Sequence, residues 1–442
     1  MKRLIPLAAL AGVFAVVWVF QSVWMSEGLA RDRYNVVVIS LDGLRPDHMT
    51  GAGYPRPTTA GIDKLAEDAV RFRNVISPSP GSLQAHASIF TSTNPGVHSA
   101  DPARNLPLSE DWITLAEELQ VHEYDTVAFV DGGDLDPRWN LNQGFSRYEV
   151  VPKRETEKET SFEKFRRKIY DANRYLAERE PEQPFFLFFQ SRILREPFLP
   201  SYPRNQSFDP DYPNFVERTI TSDYLRKLER GEVRLDSTEL RHIAAQYDGE
   251  IATVDLFTEE WLTRLFTGGE FLENTIFVLL STQGTELFEH GEIGGEGTMF
   301  DTSLRVPMYI WIPGVSGRSV DSQVRLIDVM PTLYDLLGID PTEPMQGKSL
   351  VTRIQGIEDA DLPAFSERFQ TTYAVQSLRA DGYRLLHDRK LAAPVLFDTN
   401  ADPLNQVNIA PQNPERTEAM KAKLESMVRD DENFPRPTSA RD

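Results

Sequence analysis

The chain has 442 residues and no cysteine, and its 47 Lys and Arg against 67 Asp and Glu leave a formal net charge of −20. With 40% hydrophobic and 26% charged residues it has the composition of a globular protein, so disorder along its whole length is excluded. The acidic surplus excludes broad nucleic-acid binding, and the lack of cysteine excludes disulfides, thiolate zinc sites and thiol nucleophiles.

Lys2 and Arg3 precede an almost unbroken apolar run over residues 4–20. A cleaved export signal carries about 7–15 apolar residues, whereas a membrane-spanning helix needs about 20. The run is nearer the second length and reads as an anchor. Cleavage after Ala30, in a weak small-x-small pattern with Gly28, is the other reading. Either way the positive flank leaves the remainder outside the cytoplasm. Residues 1–33 are therefore a signal peptide or membrane anchor. The protein is expected to be exported, and either membrane-anchored facing outward or, after cleavage, secreted or periplasmic.

From Tyr34 the pattern becomes α/β. Residues 36–39 are a continuous apolar run, as in a strand buried on both faces. A polar turn follows over 40–47. Thr58 or Thr59 can cap a helix with Ile62, Leu65, Ala66 and Ala69 at helical spacing. The pattern then predicts a helix over 112–120, strands over 126–130, 185–189 and 275–280, a long helix over 237–266 and a strand over 306–312. Strands alternating with helices imply a largely parallel sheet covered on both faces. Past about residue 353, short strands over 373–379, 383–386 and 395–397 crowd together, and a polar helix follows over 414–427. The expected division is an α/β domain over 34–355 and a C-terminal subdomain over 356–442.

In open α/β sheets, ligands bind beyond the carboxyl ends of the strands. Asp42 follows the first strand, where a carboxylate suits a hard metal ion or simply turns the chain. Ser82 follows a Pro-Gly loop and opens a helix, placing its hydroxyl beside an anionic ester or making it a helix cap. Arg195 lies beyond the third strand, placed to grip a sulfate or phosphate or to form a salt bridge. Thr282 and Gln283 follow the fourth, with Glu289 and His290 soon after.

These positions sit within segments that together resemble a known family. NVVVISLDGLRPDHM, IDKLAEDAVRFRN, SLQAHASIFTSTNPGVHS, WITLAEEL, YDGEIATVD and VLLSTQGTELFEHG are similar, in order and at family spacing, to the sulfatase family of the alkaline phosphatase superfamily. So are SLRVPMYIWIPG, IDVMPTLYDLLGI and LFDTNADPLNQVN, and the likeness runs from about Tyr34 to Arg429. The resemblance implies an alkaline-phosphatase-like α/β/α sandwich with a large, mostly parallel sheet and a small C-terminal antiparallel sheet. It also implies metal-dependent hydrolysis of sulfate esters, with relatives acting on phosphodiesters and phosphonates.

Carried over position by position, the implied active site is degenerate. The first metal aspartate is Asp42, but its usual acidic neighbour is Gly43. The nucleophile falls on Ser82, and the signal that would convert it to formylglycine has Gln84 and His86 at its Pro and Arg positions. His86 resembles the histidine of relatives that use a Thr nucleophile. The later metal pair falls on Thr282 and Gln283, which supply no carboxylate. The histidine that meets sulfate aligns with Arg195, and a later basic position falls near Gly295 or Glu296.

The leading expectation is a sulfatase-like pseudoenzyme with no cofactor and a binding or structural role, its ligand a small anionic or sulfated molecule. The alternative is an active hydrolase of sulfate or phosphate esters that uses Ser82, His86 and Arg195. It would hold a divalent metal such as calcium, with Glu289 and His290 as replacement ligands. A third reading is an anion-binding lectin-like module built on Ser82, His86 and Arg195.

Overall fold

Why residues 36–39 carry no polar alternation is plain once their neighbours are known. β1 (Asn35–Leu41) lies in the middle of an eight-stranded sheet, and side chains on both of its faces are buried. Val36 and Val38 enter one core with Phe186, Phe188, Ile276 and Val278. Val37, Ile39 and Leu41 enter the other with Phe185, Leu187, Phe189 and Phe277. The computed structural model describes residues 34–437, apart from 152–159, 213–219, 231, 233–234, 268–269, 295–297, 371–372, 389 and 392.

The remaining strands in chain order are β2 (Val70–Ile76), β3 (Asp125–Val130), β4 (Arg147–Val150), β5 (Phe185–Ser191), β6 (Thr275–Leu280), β7 (Glu286–Leu287) and β8 (Ile293–Gly294). They continue as β9 (Arg305–Trp311), β10 (Arg318–Arg325), β11 (Ala364–Phe369), β12 (Ala374–Ala380), β13 (Tyr383–His387) and β14 (Val395–Asp398). The large sheet has the order β10-β2-β9-β6-β1-β5-β3-β4. Its pairs are parallel except where β9 runs against β2 and β6, so the sheet is mostly parallel, as expected. Val38 pairs with Phe188 on one side and Val278 on the other, which aligns the carboxyl ends of β5, β1 and β6.

Helices cover both faces. Leu83 and Phe90 of Ser82–Thr91, Leu115 and Leu119 of Leu115–Val121, and Leu333 of Val329–Leu337 pack on the first core. Phe162 and Phe165 of Ser161–Glu178, with Ile243, Tyr247 and Trp261 of Ser237–Thr267, pack on the second. The second sheet, β11-β12-β13-β14, is antiparallel and packs Phe365, Leu378, Leu385 and Leu396 against Met420 and Leu424 of the Pro414–Glu432 helix.

Several local expectations need correction. The helix predicted from residue 112 begins at Leu115, because Thr114 closes a reciprocal capping box with Glu117. Ala69 is not helical: the helix Ala60–Leu65 passes through a short 3₁₀ turn, and β2 starts at Val70. Thr59 occupies the N-cap, yet its side chain makes no cap bond and turns to Asp63 instead. The apolar run over 4–20, Gly28 and Ala30 lie outside the described residues, as do Gly295 and Glu296. Among the described residues, no helix is long and apolar enough to cross a membrane.

Candidate active site

The aligned strand ends bring five of the expected residues together: Asp42, Ser82, His86, Thr282 and Gln283. Asp42 leaves β1, and its N–H donates to the Ser191 carbonyl at the end of β5 (2.8 Å). The Gly43 N–H donates to the Gln283 carbonyl beyond β6 (3.0 Å). These two backbone bonds fix the loops beside each other. Gly43 has φ 98°, and a Cβ there would lie 2.6 Å from the Leu194 carbonyl oxygen. An aspartate, the acidic neighbour that the family resemblance implies, does not fit the backbone as it stands.

Asp42 is wholly buried, and both its carboxylate oxygens are occupied. Oδ1 accepts from Ser40 Oγ (2.7 Å) and Thr282 Oγ1 (2.8 Å). Oδ2 accepts from Gln190 Nε2 (2.8 Å) and Ser82 Oγ (2.9 Å). A carboxylate offers about four lone-pair positions, so these donors use its capacity. Burial alone would raise the Asp42 pKa. The His86 ring, 3.7 Å from Oδ1, and the Ser40, Gln190 and Thr282 donors outweigh burial and hold it below the usual carboxylate range.

Ser82 is the first residue of its helix, and Gly81 holds the N-cap, so the hydroxyl is not a cap and is free to meet Asp42. One turn on, His86 Nδ1 lies 2.8 Å from the Ser82 carbonyl oxygen and 3.3 Å from Ser82 Oγ. A carbonyl can only accept, so Nδ1 carries a hydrogen and directs it to the backbone. Nδ1, already carrying that hydrogen, cannot take the Ser82 proton. Nε2 faces Ser40 Oγ at 3.1 Å. Thr282 Oγ1 also contacts the Gln283 amide. The amide oxygen Oε1 is the atom placed there, while Nε2 is buried without a partner among the described residues. Since one hydroxyl proton serves one acceptor, turning the side-chain amide over lets Thr282 donate to Asp42 and Gln283 Nε2 donate to Thr282.

The other expected residues sit differently. Arg195 follows β5, with its stem against Gly43, but its Nη1 pairs with Asp134 (3.3 Å). Glu289 and His290 do not join the Asp42 hydrogen-bond cluster. Glu289 Oε1 pairs with the buried Arg45 (2.6 Å), and His290 stacks on Phe300 with Nδ1 3.0 Å from Glu286. Both side chains are thus paired locally, Glu289 with Arg45 and His290 with Glu286 and Phe300. Gln84, at the modification-signal position, donates to Asp101 (2.9 Å).

Sequence reasoning missed Gln190 and the pair behind it. The Asp131 N–H donates to Gln190 Oε1 (3.1 Å), and Asp131 Oδ1 lies 2.6 Å from Lys168 Nζ. Lys168, fully buried, also donates to the Gln190 carbonyl. Burial lowers its pKa to about 8 against the raising effect of Asp131. Burial would raise Asp131, but Lys168 and Lys164 hold it at about 2. Asp42 is thus joined through Gln190 to a buried ion pair. No local signal marked either residue: Gln190 ends an apolar strand run, and Lys168 stands on an otherwise amphipathic helix.

A doubly covered, mostly parallel sheet with an acid and a hydroxyl at its carboxyl edge defines a hydrolase-like α/β protein, and the comparisons identify which kind. The profile described as Sulfatase matches residues 34–339, and the chain belongs to the sulfatase family, within the alkaline phosphatase superfamily. A second profile, N-sulphoglucosamine sulphohydrolase, C-terminal, matches residues 289–431. Arylsulfatase K of Homo sapiens is 27% identical over 231 residues, 47% of this chain and 40% of that protein. The chain thus matches about two fifths of the length of this curated relative.

Among solved structures, a phosphonate monoester hydrolase of Agrobacterium radiobacter has a TM-score of 0.76 at 22% identity, covering 90% of this chain and 96% of that one. A protein solved with its substrate D-glucosamine-2-N,6-O-disulfate has a TM-score of 0.71 at 17% identity, covering 92% and 100%. At these identities the likeness establishes the fold.

Sulfatases generally use a divalent metal, and the donor set here fits one poorly. A calcium ion takes about 6–8 oxygen ligands, several of them carboxylates. The cluster offers one carboxylate, already saturated, beside a neutral hydroxyl and a neutral amide. Among the described residues, no group of three or more His, Cys, Asp and Glu is placed to hold a metal ion.

Proposed function

We propose that this chain is an extracytoplasmic member of the sulfatase family that has lost metal-dependent sulfate-ester hydrolysis and acts as a binding or structural protein. One observation carries the reading: Ser40, Ser82, Gln190 and Thr282 fill the acceptor positions of Asp42. Those donors take the place of the cation that would otherwise balance the carboxylate. Removing even one preorganised electrostatic group lowers rates by about 10²–10³. A donor set that fits a metal poorly, a missing carboxylate partner and a serine without its modification signal together leave little of the reaction. The orientation of His86 Nδ1 toward the Ser82 carbonyl further argues against a Ser82–His86 nucleophile pair.

The ligand class that best fits the family is a small sulfated molecule, as the relative solved with D-glucosamine-2-N,6-O-disulfate suggests. The proposed organisation keeps residues 1–33 as export segment or anchor, 34–355 as the α/β domain and 356–442 as the C-terminal subdomain.

The test pairs metal binding with turnover. Calcium, manganese and zinc are expected to leave the melting temperature of the purified chain unchanged, and aryl sulfates to remain uncleaved. The double change Thr282→Asp with Gln283→His sets a second carboxylate beside Asp42. It is expected to lower the melting temperature without metal and to recover it with calcium. Sulfate-ester hydrolysis by the unmodified chain, abolished both by a chelator and by Asp42→Ala, would overturn the reading.

A further inference from the structure

Toward the β10 edge of the large sheet, over β2 and β9, lies a cavity of about 400 Å³ whose wall includes none of the residues of the Asp42 cluster. A row across three strands lines it. Ser319 of β10 pairs with Arg71 of β2, and Arg71 pairs with Tyr309 of β9, so the three side chains share one face of the sheet. The Ala60–Leu65 helix and the segment 46–52 after β1 supply the other sides. Pro46, Met49, Ala60 and Pro307 make up its apolar part.

The charge on this wall is basic, in a chain whose net charge is −20. Lys64, Arg71, Arg73 and Arg305 line it, against Asp63 and Glu67. Arg71 makes no hydrogen bond or ion pair among the described residues; its Nε is buried, while both Nη atoms stay open to solvent. Arg305 donates from Nη2 to the Arg73 carbonyl (3.1 Å), its Nε is buried without a partner among the described residues, and its Nη1 is open. The acids whose charge reaches Arg305 are engaged elsewhere, Asp301 with Arg379 and Arg384, and Asp47 with Arg45. Asp63 turns its oxygens to the Gly51 N–H (2.6 Å), Thr59 Oγ1 (2.5 Å) and the Tyr309 hydroxyl (3.1 Å) rather than to Arg71. Arg73 meets Asp321 (3.3 Å), a contact between two exposed side chains that contributes little. A half-buried guanidinium without a carboxylate is unfavourable, and an anion accepting from its open Nη atoms would satisfy it.

We propose that this cavity binds a small organic phosphate, its head on Arg71, with Lys64, Arg73 and Arg305 adding charge from the surrounding wall and its body against Met49 and Pro307. Bases outnumber acids on the wall by two. A phosphate monoester carries nearly two negative charges at neutral pH and balances that excess, whereas a sulfate ester carries one. The volume falls in the range of small-molecule pockets, about 300–1,000 Å³. This site is separate from the function proposed above and requires neither hydrolysis nor the Asp42 cluster.

Calorimetric titration of the full chain tests it with two probes of one shape, phenyl phosphate and phenyl sulfate. At about pH 8 the phosphate is expected to bind about tenfold or more tightly than the sulfate. At about pH 5 the phosphate falls to a single charge, and the two affinities are expected to converge. Arg71→Gln is expected to weaken phenyl phosphate about tenfold or more, since it removes charge-assisted bonds. Lys64→Gln and Arg305→Gln are each expected to weaken it about threefold, the effect of one charge in the wall. Should Arg71→Gln fail to fold by circular dichroism, the exposed change Lys64→Gln and Arg305→Gln carry the test. Four results each overturn the proposal: the sulfate binding as tightly as the dianionic phosphate, a preference that does not shrink in acid, no phosphate binding to the folded wild type, or affinity unchanged in the folded variants.

Discussion

Asp42 accepts four side-chain hydrogen bonds in a site that water does not reach, so its removal orphans donors from β1, β5, the Ser82 helix and the loop after β6. Asp42→Asn keeps the shape but turns an NH₂ toward two of those donors. The expected loss is about 2–4 kcal/mol of unfolding free energy, read from urea denaturation. A carboxylate held in reserve for a cation would behave oppositely, because removing an uncompensated buried charge stabilises the empty site. Equal or greater stability in Asp42→Asn would therefore return the metal to the discussion. Asp42, Ser82, Thr282 and Gln283 were legible in the sequence because ligand residues follow strand ends and a family motif fixed their spacing. Gln190 and Lys168 were not, since their roles depend on β5 and the Ser161–Glu178 helix meeting at Asp131. Arg195 was rightly placed beyond its strand, but only the fold reveals that its guanidinium reaches Asp134.

Among the elements, β1, β5 and β6 were legible because a strand buried on both faces must be apolar throughout. β2 escaped notice. Its sequence VRFRNVI alternates, with Arg73 exposed, and it follows a helical pattern that runs without a break into Ala69. Helix starts were the other weak point. Trp112 looked like the first helical residue, yet it is a buried anchor ahead of the helix, and the helix begins where Thr114 can cap it. The Thr114 hydroxyl accepts from the Glu117 N–H (3.2 Å), and Glu117 Oε2 accepts from the Thr114 N–H (2.8 Å). Thr114→Ala is expected to lower stability by about 1 kcal/mol. A matching loss in urea denaturation, with the second-derivative spectrum of the buried aromatics unchanged, would confirm a local cap effect. A loss above about 3 kcal/mol would mean that Thr114 does more than cap.

Across the whole molecule, the C-terminal sheet braces the loop that leads to Ser82. The Glu367 N–H of β11 donates to the Pro78 carbonyl (2.9 Å), and Ser366 Oγ donates to the Ser77 carbonyl (2.6 Å). The Pro414–Glu432 helix is tied to the same region, because Asp431 accepts from Asn94 (3.0 Å) and Gln346 (2.6 Å). At this junction Glu367 is 4% exposed, and burial, with Asp431 adding to it, raises its pKa to about 8. Burial also raises Asp431. The folded chain therefore keeps the Glu367 proton over a range where the unfolded chain, with a carboxyl near 4.5, has released it. With more protons on the folded state, stability falls as pH rises from the unfolded value toward 8, then levels off. The slope for one such group is at most about 1.4 kcal/mol per pH unit. Glu367→Gln removes the titration and is expected to flatten this part of the profile, leaving the variant more stable than the wild type at about pH 8–9. Urea midpoints for both proteins from about pH 5 to about pH 9 decide the matter. Parallel curves would mean that Glu367 releases its proton at an ordinary pH in the folded chain, and that the brace on the Ser82 loop tolerates a buried negative charge.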